Sequence, residues 1–332
     1  MVIITNLSII IPLYNGEKYI STCLESIIGQ ELDGIEIIII DNASTDTSID
    51  IVNQYIKIFP NIRLIKNKRN QGPGAARNIG INKALGKYIT FVDCDDYVSK
   101  DMYLNLYNYI GKYGLDCVVC EYEYVHNDDK LNSYSKHCDN IQIINKIQAV
   151  QKFLKGEMEC YSWNKLYKRK FLLDNQVFFS EEIFTGEDVI FLAKVIVNCH
   201  KIGFSANRFY KYRRHLNSIT SSTDNQKVID HNRALIETID YLKQNLSEDE
   251  KEYLELYEVR NTVAMFIKYI QLYQFDRKKI YDNYENHFKS LCKNLPMNSI
   301  FRNKIMNLAD KIRFFLLKYK QLDRYVKIKL KS

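Results

Sequence analysis

Over the first 125 positions, continuous apolar runs alternate with stretches whose apolar residues fall at helical spacing. Residues 8–13 form a β-branched apolar run, and within 17–30 Tyr19, Ile20, Cys23, Leu24 and Ile27 recur at helical intervals. The nearly unbroken apolar run 35–40 predicts a strand covered on both faces. A helix is expected over 44–59, opened by the capping residues from Ser44 and stopped at Pro60. A strand over 62–65, a helix over 75–85 ended by Gly86, a strand over 88–92, a helix over 101–113 and a strand over 116–124 continue the pattern. Such alternation needs crossover connections, so it predicts an α/β fold with a largely parallel, doubly wound sheet.

The later chain reads differently. Residues 124–146 are polar and loop-like, a helix begins over 147–154, 163–173 is an amphipathic basic segment, and 186–199 is a helix with Glu187 and Asp188 in its first turn. After the polar stretch 217–226, helices are expected at about 228–245, 249–273, 277–293 and 300–319. The expected organisation is an α/β domain over 1–220, with halves at about 1–100 and 101–220, followed by a helical region over 221–332.

Composition narrows the class. With 332 residues, 46% hydrophobic and 26% charged, the chain is an ordinary globular protein and not a collagen-like or disordered one. No apolar stretch reaches a membrane span, and the opening residues lack a basic n-region and cleavage site, so a cytoplasmic location with reduced thiols is expected. The 25 tyrosines accompany abundant Lys, Asn and Ile and receive no functional weight from the sequence. Cys117 and Cys120 form a Cys-x-x-Cys pair, but inside an apolar strand without a second pair they read as core thiols.

Candidate chemistry gathers at predicted strand ends, where ligands bind in open parallel sheets. Four such ends carry polar clusters: Pro12 to Asn15, Asp41 to Ser44, Asn70 to Gly74, and Asp93-Cys-Asp95-Asp96. The last cluster follows an apolar strand, so the alternation of an extended chain puts Asp93 and Asp95 on one side, where a Mg²⁺ or Mn²⁺ ion shared with a diphosphate would relieve their repulsion. Gly72-Pro-Gly74-Ala-Ala-Arg77-Asn78 opens a helix and places a cation one turn in, although it does not match a dinucleotide fingerprint. Hydrolase motifs are absent, and the six histidines show no ligand spacing.

In order, Ile9-Ile-Ile-Pro12-Leu-Tyr14-Asn15, Ile40-Asp41-Asn-Ala-Ser44-Thr-Asp46, Asn70-Gln-Gly72-Pro-Gly-Ala-Ala-Arg77-Asn78, Phe91-Val-Asp93-Cys-Asp95-Asp96, Trp163-Asn-Lys-Leu-Tyr and Gly186-Glu187-Asp188 resemble the family 2 glycosyltransferases over about residues 7–220. The resemblance implies a GT-A fold and an inverting transfer from a nucleotide-sugar to a glycan or lipid-linked glycan hydroxyl, as in capsule, O-antigen or exopolysaccharide synthesis. It implies that Pro12, Tyr14 and Glu17 line the nucleoside pocket with Asp41 or Asn42 facing the base, and that Asn70, Gly72 and Arg77 belong to the donor site. Asp93 would hold ribose or sugar hydroxyls, Asp95 a divalent metal (Mn²⁺ or Mg²⁺), and Asp188 would be the base with Glu187 next in line. Many relatives carry two adjacent acids where this chain has Asp41-Asn42. A UDP-sugar is the favoured donor, with a dTDP-sugar open, because uracil and thymine present the same N3–H donor. A nucleotidyltransferase and a non-catalytic nucleotide- or sugar-binding scaffold are the other readings.

The net charge of +7 resides in the tail: residues 302–331 hold ten basic residues against Asp310 and Asp323. With Ile305, Leu308, Ile312, Phe315 and Leu316 near helical spacing, this segment fits two roles. It is either a basic amphipathic helix on an anionic membrane, placing the protein on the inner face of the plasma membrane, or a helix packed in a bundle or homo-oligomer. Nucleic acid is not an expected partner, because no reader motif accompanies the charge.

Overall fold

A computed structural model describes residues 5–126, 131, 133–135, 140–214, 225–272 and 306–318. Among them, nine strands form one sheet. They are β1 (Leu7–Leu13), β2 (Ile35–Asp41), β3 (Ile62–Lys66), β4 (Tyr88–Phe91), β5 (Tyr97–Val98), β6 (Cys117–Val125), β7 (Ile141–Asn145), β8 (Lys165–Lys168) and β9 (Lys201–Arg213). The helices between these strands are α1 (Ile20–Ile28), α2 (Ser48–Ile58), α3 (Gly72–Lys83), α4 (Met102–Tyr113), α5 (Lys146–Lys155, which crosses from one unit into the other), α6 (Arg169–Asp174) and α7 (Glu187–Asn198).

The strand order is β3-β2-β1-β4-β8-β6-β9-β5, with β7 beside β9. Strands β3, β2, β1 and β4 run parallel, so their carboxyl ends share an edge. The chain builds outward from β1 to β3, then returns to β1's other side as β4. This reversal opens a crevice between β1 and β4, the usual ligand position in such sheets. The far half is mixed: β8 pairs antiparallel with β4 and β6, whereas β6 and β9 are parallel.

Strand β1 is covered on both faces, as an unbroken apolar run requires. Ile9, Ile11 and Leu13 join the core with Ile20, Leu24 and Ile27 of α1. On the opposite face, Ile10 meets Gly80 of α3, where a Cβ would lie 2.3 Å from Ile10 Cγ2. Helix α3 has little apolar asymmetry because Gly74, Ala75, Ala76, Arg77, Asn78 and Ile81 are all buried.

Several local expectations change. Helix α2 starts at Ser48, because residues 44–47 are held by the loop after β1. Gly86 does not end a helix; it lets the start of β4 approach β1, where a Cβ would stand 2.6 Å from Ser8 N. Residues 141–145, read as loop, form the exposed edge strand β7. The basic segment 163–173 divides into a turn, β8 and α6, and the long strand β9 was not anticipated. Cys117 and Cys120 are free, buried thiols, and burial pushes Cys120 up to about 12.

By contact, Met1–Ala149 with Cys160–Ser222 forms one unit and Val150–Glu159 with Thr223–Ser332 another. The second contains α8 (Asn225–Asn245), a 3₁₀ turn (Glu248–Tyr253), α9 (Leu254–Leu272) and α10 (Leu308–Lys318). Arg260 of α9 pairs with Asp310 of α10 at 2.9 Å, beside the fully buried Phe314. Ile312 and Phe315, expected on the apolar stripe, are 43% and 41% exposed. The helix expected over 277–293 and most of the basic tail lie outside the described residues. Among the described residues, no helix is long and apolar enough to cross a membrane.

Candidate active site at the carboxyl edge of the sheet

The turn after β4 and the first turn of α7 meet at one buried cation. Arg77, on α3, donates from Nη2 to Asp93 Oδ1 and from Nη1 to Glu187 Oε1, both at 2.8 Å. Asp188 Oδ1 stands 3.6 Å from the same Nη1, and the guanidinium lies 5.3 Å from the Phe179 ring centroid. Three carboxylates thus surround one buried guanidinium, an excess of negative charge, and for the two on α7 burial is the largest influence on titration. Burial pushes Glu187 up to about 7, with Asp188 adding to the shift and Arg77 opposing it. Asp188 is likewise raised by burial against the pull of Arg77. Burial disfavours the charge of Arg77, but Asp188, Asp93 and Glu187 outweigh it and hold the group above the usual guanidinium range. Glu187 poised near neutrality, beside an Asp188 whose proton affinity burial raises, suits proton acceptance from a hydroxyl.

Helix α3 is shaped to grip the segment that carries these acids. Asn78 donates from Nδ2 to Phe179 O at 3.0 Å and accepts Phe179 N–H at 2.9 Å, fixing that backbone from both sides. At Gly74 a Cβ would lie 2.8 Å from Ser180 O and 3.3 Å from Glu187 Cγ. Gly72, at φ +85°, lies under the Phe184 ring, and its N–H goes to Asn70 Oδ1 at 2.9 Å. Gly72 and Gly74 therefore let the chain's own 179–187 segment pack closely on the start of α3. In the sequence Asn78 is visible only as half of a polar pair, Arg77-Asn78, in a helix start otherwise made of Gly, Pro and Ala, and its partner Phe179 lies 101 residues away.

The donor-side candidates lie at the ends of β1 and β2. Pro12 pairs in register with Ile40, and Tyr14 is 48% exposed. Glu17 does not stand alone: its carboxylate accepts from Thr47 N at 3.1 Å and Thr47 Oγ1 at 2.8 Å, latching the two loops. Asn15 (φ 51°) and Ala43 (φ 63°) take left-handed conformations in these loops, and Asn15 Oδ1 accepts Thr45 N–H at 2.8 Å. Asp41 is buried and accepts Ser44 N–H at 3.1 Å. Both ends of the Asn42 amide are engaged, Nδ2 with Gly72 O at 2.9 Å and Oδ1 with Asn67 Nδ2 at 2.8 Å.

The acid cluster is a turn and not a continued strand. Strand β4 ends at Phe91, and Asp96 N–H closes on Asp93 O at 3.0 Å, with Cys94 and Asp95 at the corners. The side-by-side placement expected from strand alternation does not apply, because the chain has already left the extended conformation. Asp93 faces Arg77, and Asp95 is partly exposed at a corner whose carbonyl accepts Arg213 Nε at 2.8 Å. Asp96 is buried, accepting from Tyr210 Oη and from Arg213 N–H, each at 2.8 Å. Among the described residues, no three His, Cys, Asp or Glu side chains form a metal cage. The partly exposed Asp95 carboxylate instead fits a hard cation that takes most of its oxygens from a diphosphate and water.

Comparison with known proteins agrees with this architecture. The model of "Glycosyl transferase family 2" matches residues 8–174. A putative glycosyltransferase, EpsH of Bacillus subtilis, is 33% identical over 250 residues, 74% of this chain and 72% of EpsH. TarS of Staphylococcus aureus, a poly(ribitol-phosphate) β-N-acetylglucosaminyltransferase, is 28% identical over 209 residues, 62% of this chain; the match spans about a third (35%) of TarS. A crystal structure of TarS 1–349 with UDP-GlcNAc superposes with a TM-score of 0.72 at 22% identity, covering 96% of this chain and 89% of that one. The mannosyltransferase PcManGT of Pyrobaculum calidifontis, solved with GDP-Man and Mn²⁺, gives a TM-score of 0.55 at 14% identity, covering 96% and 87%. With a family model covering half of it and a relative matched over most of both chains, this protein belongs to glycosyl transferase family 2 and is a glycosyltransferase of GT-A fold.

Proposed function

We propose that the protein moves a sugar from a UDP-sugar to a hydroxyl of a glycan or lipid-linked glycan acceptor, with inversion, in the assembly of a surface polysaccharide. The carrying observation is the junction at Arg77, which brings Asp93, Glu187 and Asp188 together at the carboxyl edge beside the β1/β4 crevice. Asp188, in the first turn of α7, takes the acceptor hydroxyl's proton as that oxygen attacks the anomeric carbon. The bond from that carbon to the diphosphate breaks, and UDP leaves with the electron pair. Arg77 positions and charge-balances the base, Glu187 holds Arg77 in place, and Asp93 holds hydroxyls of the donor. On the donor side, Tyr14 and Pro12 border the nucleoside and Asp41 accepts the uracil N3–H. Asn42 and Glu17 act through the loops they fasten. Asp95 is the residue that would hold Mn²⁺ or Mg²⁺, which when bound supplies positive charge to the diphosphate. The Mn²⁺ and UDP-GlcNAc of the structural neighbours support this donor chemistry.

Calorimetric titration of UDP, dTDP and GDP, with and without Mn²⁺, tests the reading. Metal-dependent binding of UDP that is lost in Asp95→Asn is expected; well-folded protein that binds none of the three would overturn it. Asp188→Asn should keep UDP affinity while transfer falls by about 10²–10⁴-fold.

A further inference from the structure

Beside the acid turn, the far half of the sheet carries a continuous set of aromatic rings. Tyr122 and Tyr124 of β6 stand in register with Tyr210 and Tyr212 of β9, and the turn before β8 adds Tyr161 and Trp163. Trp163, the chain's single tryptophan, is sandwiched between Tyr210 (centroids 4.1 Å apart, planes at 21°) and Tyr161 (4.6 Å, 13°). Tyr122 meets Trp163 edge-on at 5.1 Å, and Tyr212 links the stack to Tyr124 at 5.6 Å. The inner end of the stack touches the reaction site, because Tyr210 Oη accepts Asp93 N–H at 3.2 Å and donates to Asp96. The outer end reaches solvent: Tyr124 is 46% exposed, with the Arg214 guanidinium 3.8 Å from its ring centroid. Tyr122, Tyr161 and Tyr212 are partly exposed between these ends.

We propose that this surface, Tyr124, Tyr212, Tyr122 and Tyr161 over the buried Trp163, binds the pyranose rings of the acceptor glycan next to the ring being glycosylated. The inference rests on the glycosyltransferase reading above and names its acceptor class. A pyranose presents an apolar C–H face rimmed by hydroxyls, and aromatic faces edged by phenol groups complement both parts at low entropic cost. Continuity with Asp93 places the bound chain's end at the acids. A polyol-phosphate chain lacks the flat apolar face and carries repeated negative charge. Lys211, on the same strand, is buried and tied to Glu123, so its charge is already balanced.

Trp163 reports on the stack directly. Under selective tryptophan excitation, the UDP-loaded protein is titrated with α- and β-linked hexopyranose tetrasaccharides and, separately, with ribitol 5-phosphate oligomers. A saturable emission change with at least one tetrasaccharide is expected, weakened about tenfold in Tyr124→Ala and in Tyr161→Ala, as loss of a stacking ring predicts. Tyr124→Leu keeps strand packing while removing the ring, and should lose the same affinity if Tyr124→Ala fails to fold. In transfer assays these changes should raise the acceptor KM far more than they lower kcat. No response to any tetrasaccharide, unchanged affinity in the ring variants, or a response confined to the polyol phosphate would overturn the proposal. Calorimetry with UDP is read in parallel: loss of UDP binding in the wild type would strike the donor reading instead.

Discussion

Arg77 is the residue on which the site's charge balance turns. Its side chain is 4% exposed and ties two segments of the chain, so truncation leaves buried carboxylates without their counter-ion. Arg77→Ala should lower stability by about 3–5 kcal/mol, measured by urea unfolding. Arg77→Lys keeps the charge but cannot span Asp93 and Glu187 with a fork, so transfer should fall while the protein stays folded. Glu187, raised by burial to about 7, binds its proton more tightly in the folded state than in the unfolded. Its contribution to stability is therefore present at low pH and lost as pH rises through about 7. Glu187→Gln should shrink the fall in Tm between about pH 5 and pH 8. At this scale Arg77 was legible as a cation near a helix start, but its partners were not. Glu187 lies 110 residues away, and no local pattern encodes that pairing. Asn42 illustrates the reverse: its place was legible, but its amide is engaged by Asn67 and Gly72.

Among the elements, α3 couples the end of β2 to the segment before α7. Gly74→Ala would press a methyl group onto Ser180 O and Glu187, at a cost of about 1–3 kcal/mol. Asn78→Ala frees the Phe179 backbone. Either change should reduce kcat with UDP affinity kept, as calorimetry alongside product assays would report. The parallel strands β1 to β4 were readable because burial on both faces writes an unbroken apolar run. Strands β7 and β9 were not. Strand β7 is short and mostly exposed, and register shifts opposite Glu121 interrupt the pairing of β6 with β9. Tyrosine shows the same limit, since its abundance carried no information until β6 and β9 brought four of the rings into register.

For the whole molecule, strand order decides where chemistry occurs. The return from β3 to β4 opens the crevice at β1, and four parallel strands deliver their ends to one edge. UDP with Mn²⁺ should raise the thermal midpoint more than UDP alone, with about 2.7 kcal/mol of stabilisation at a hundredfold excess over Kd. Alternation of strands and helices made this architecture legible, whereas the role of 302–331 was not, because periodicity does not say what covers an apolar face. The Arg77 junction also has a consequence for the gene. Its members enter the chain at 77, 93 and 187–188, so a ribosome completes the four parallel strands long before it supplies the two carboxylates of α7. A frameshift or stop codon between β4 and α7 would therefore encode a product that keeps Arg77 and Asp93 but lacks Glu187 and Asp188, and on the proposed mechanism it could not complete a transfer.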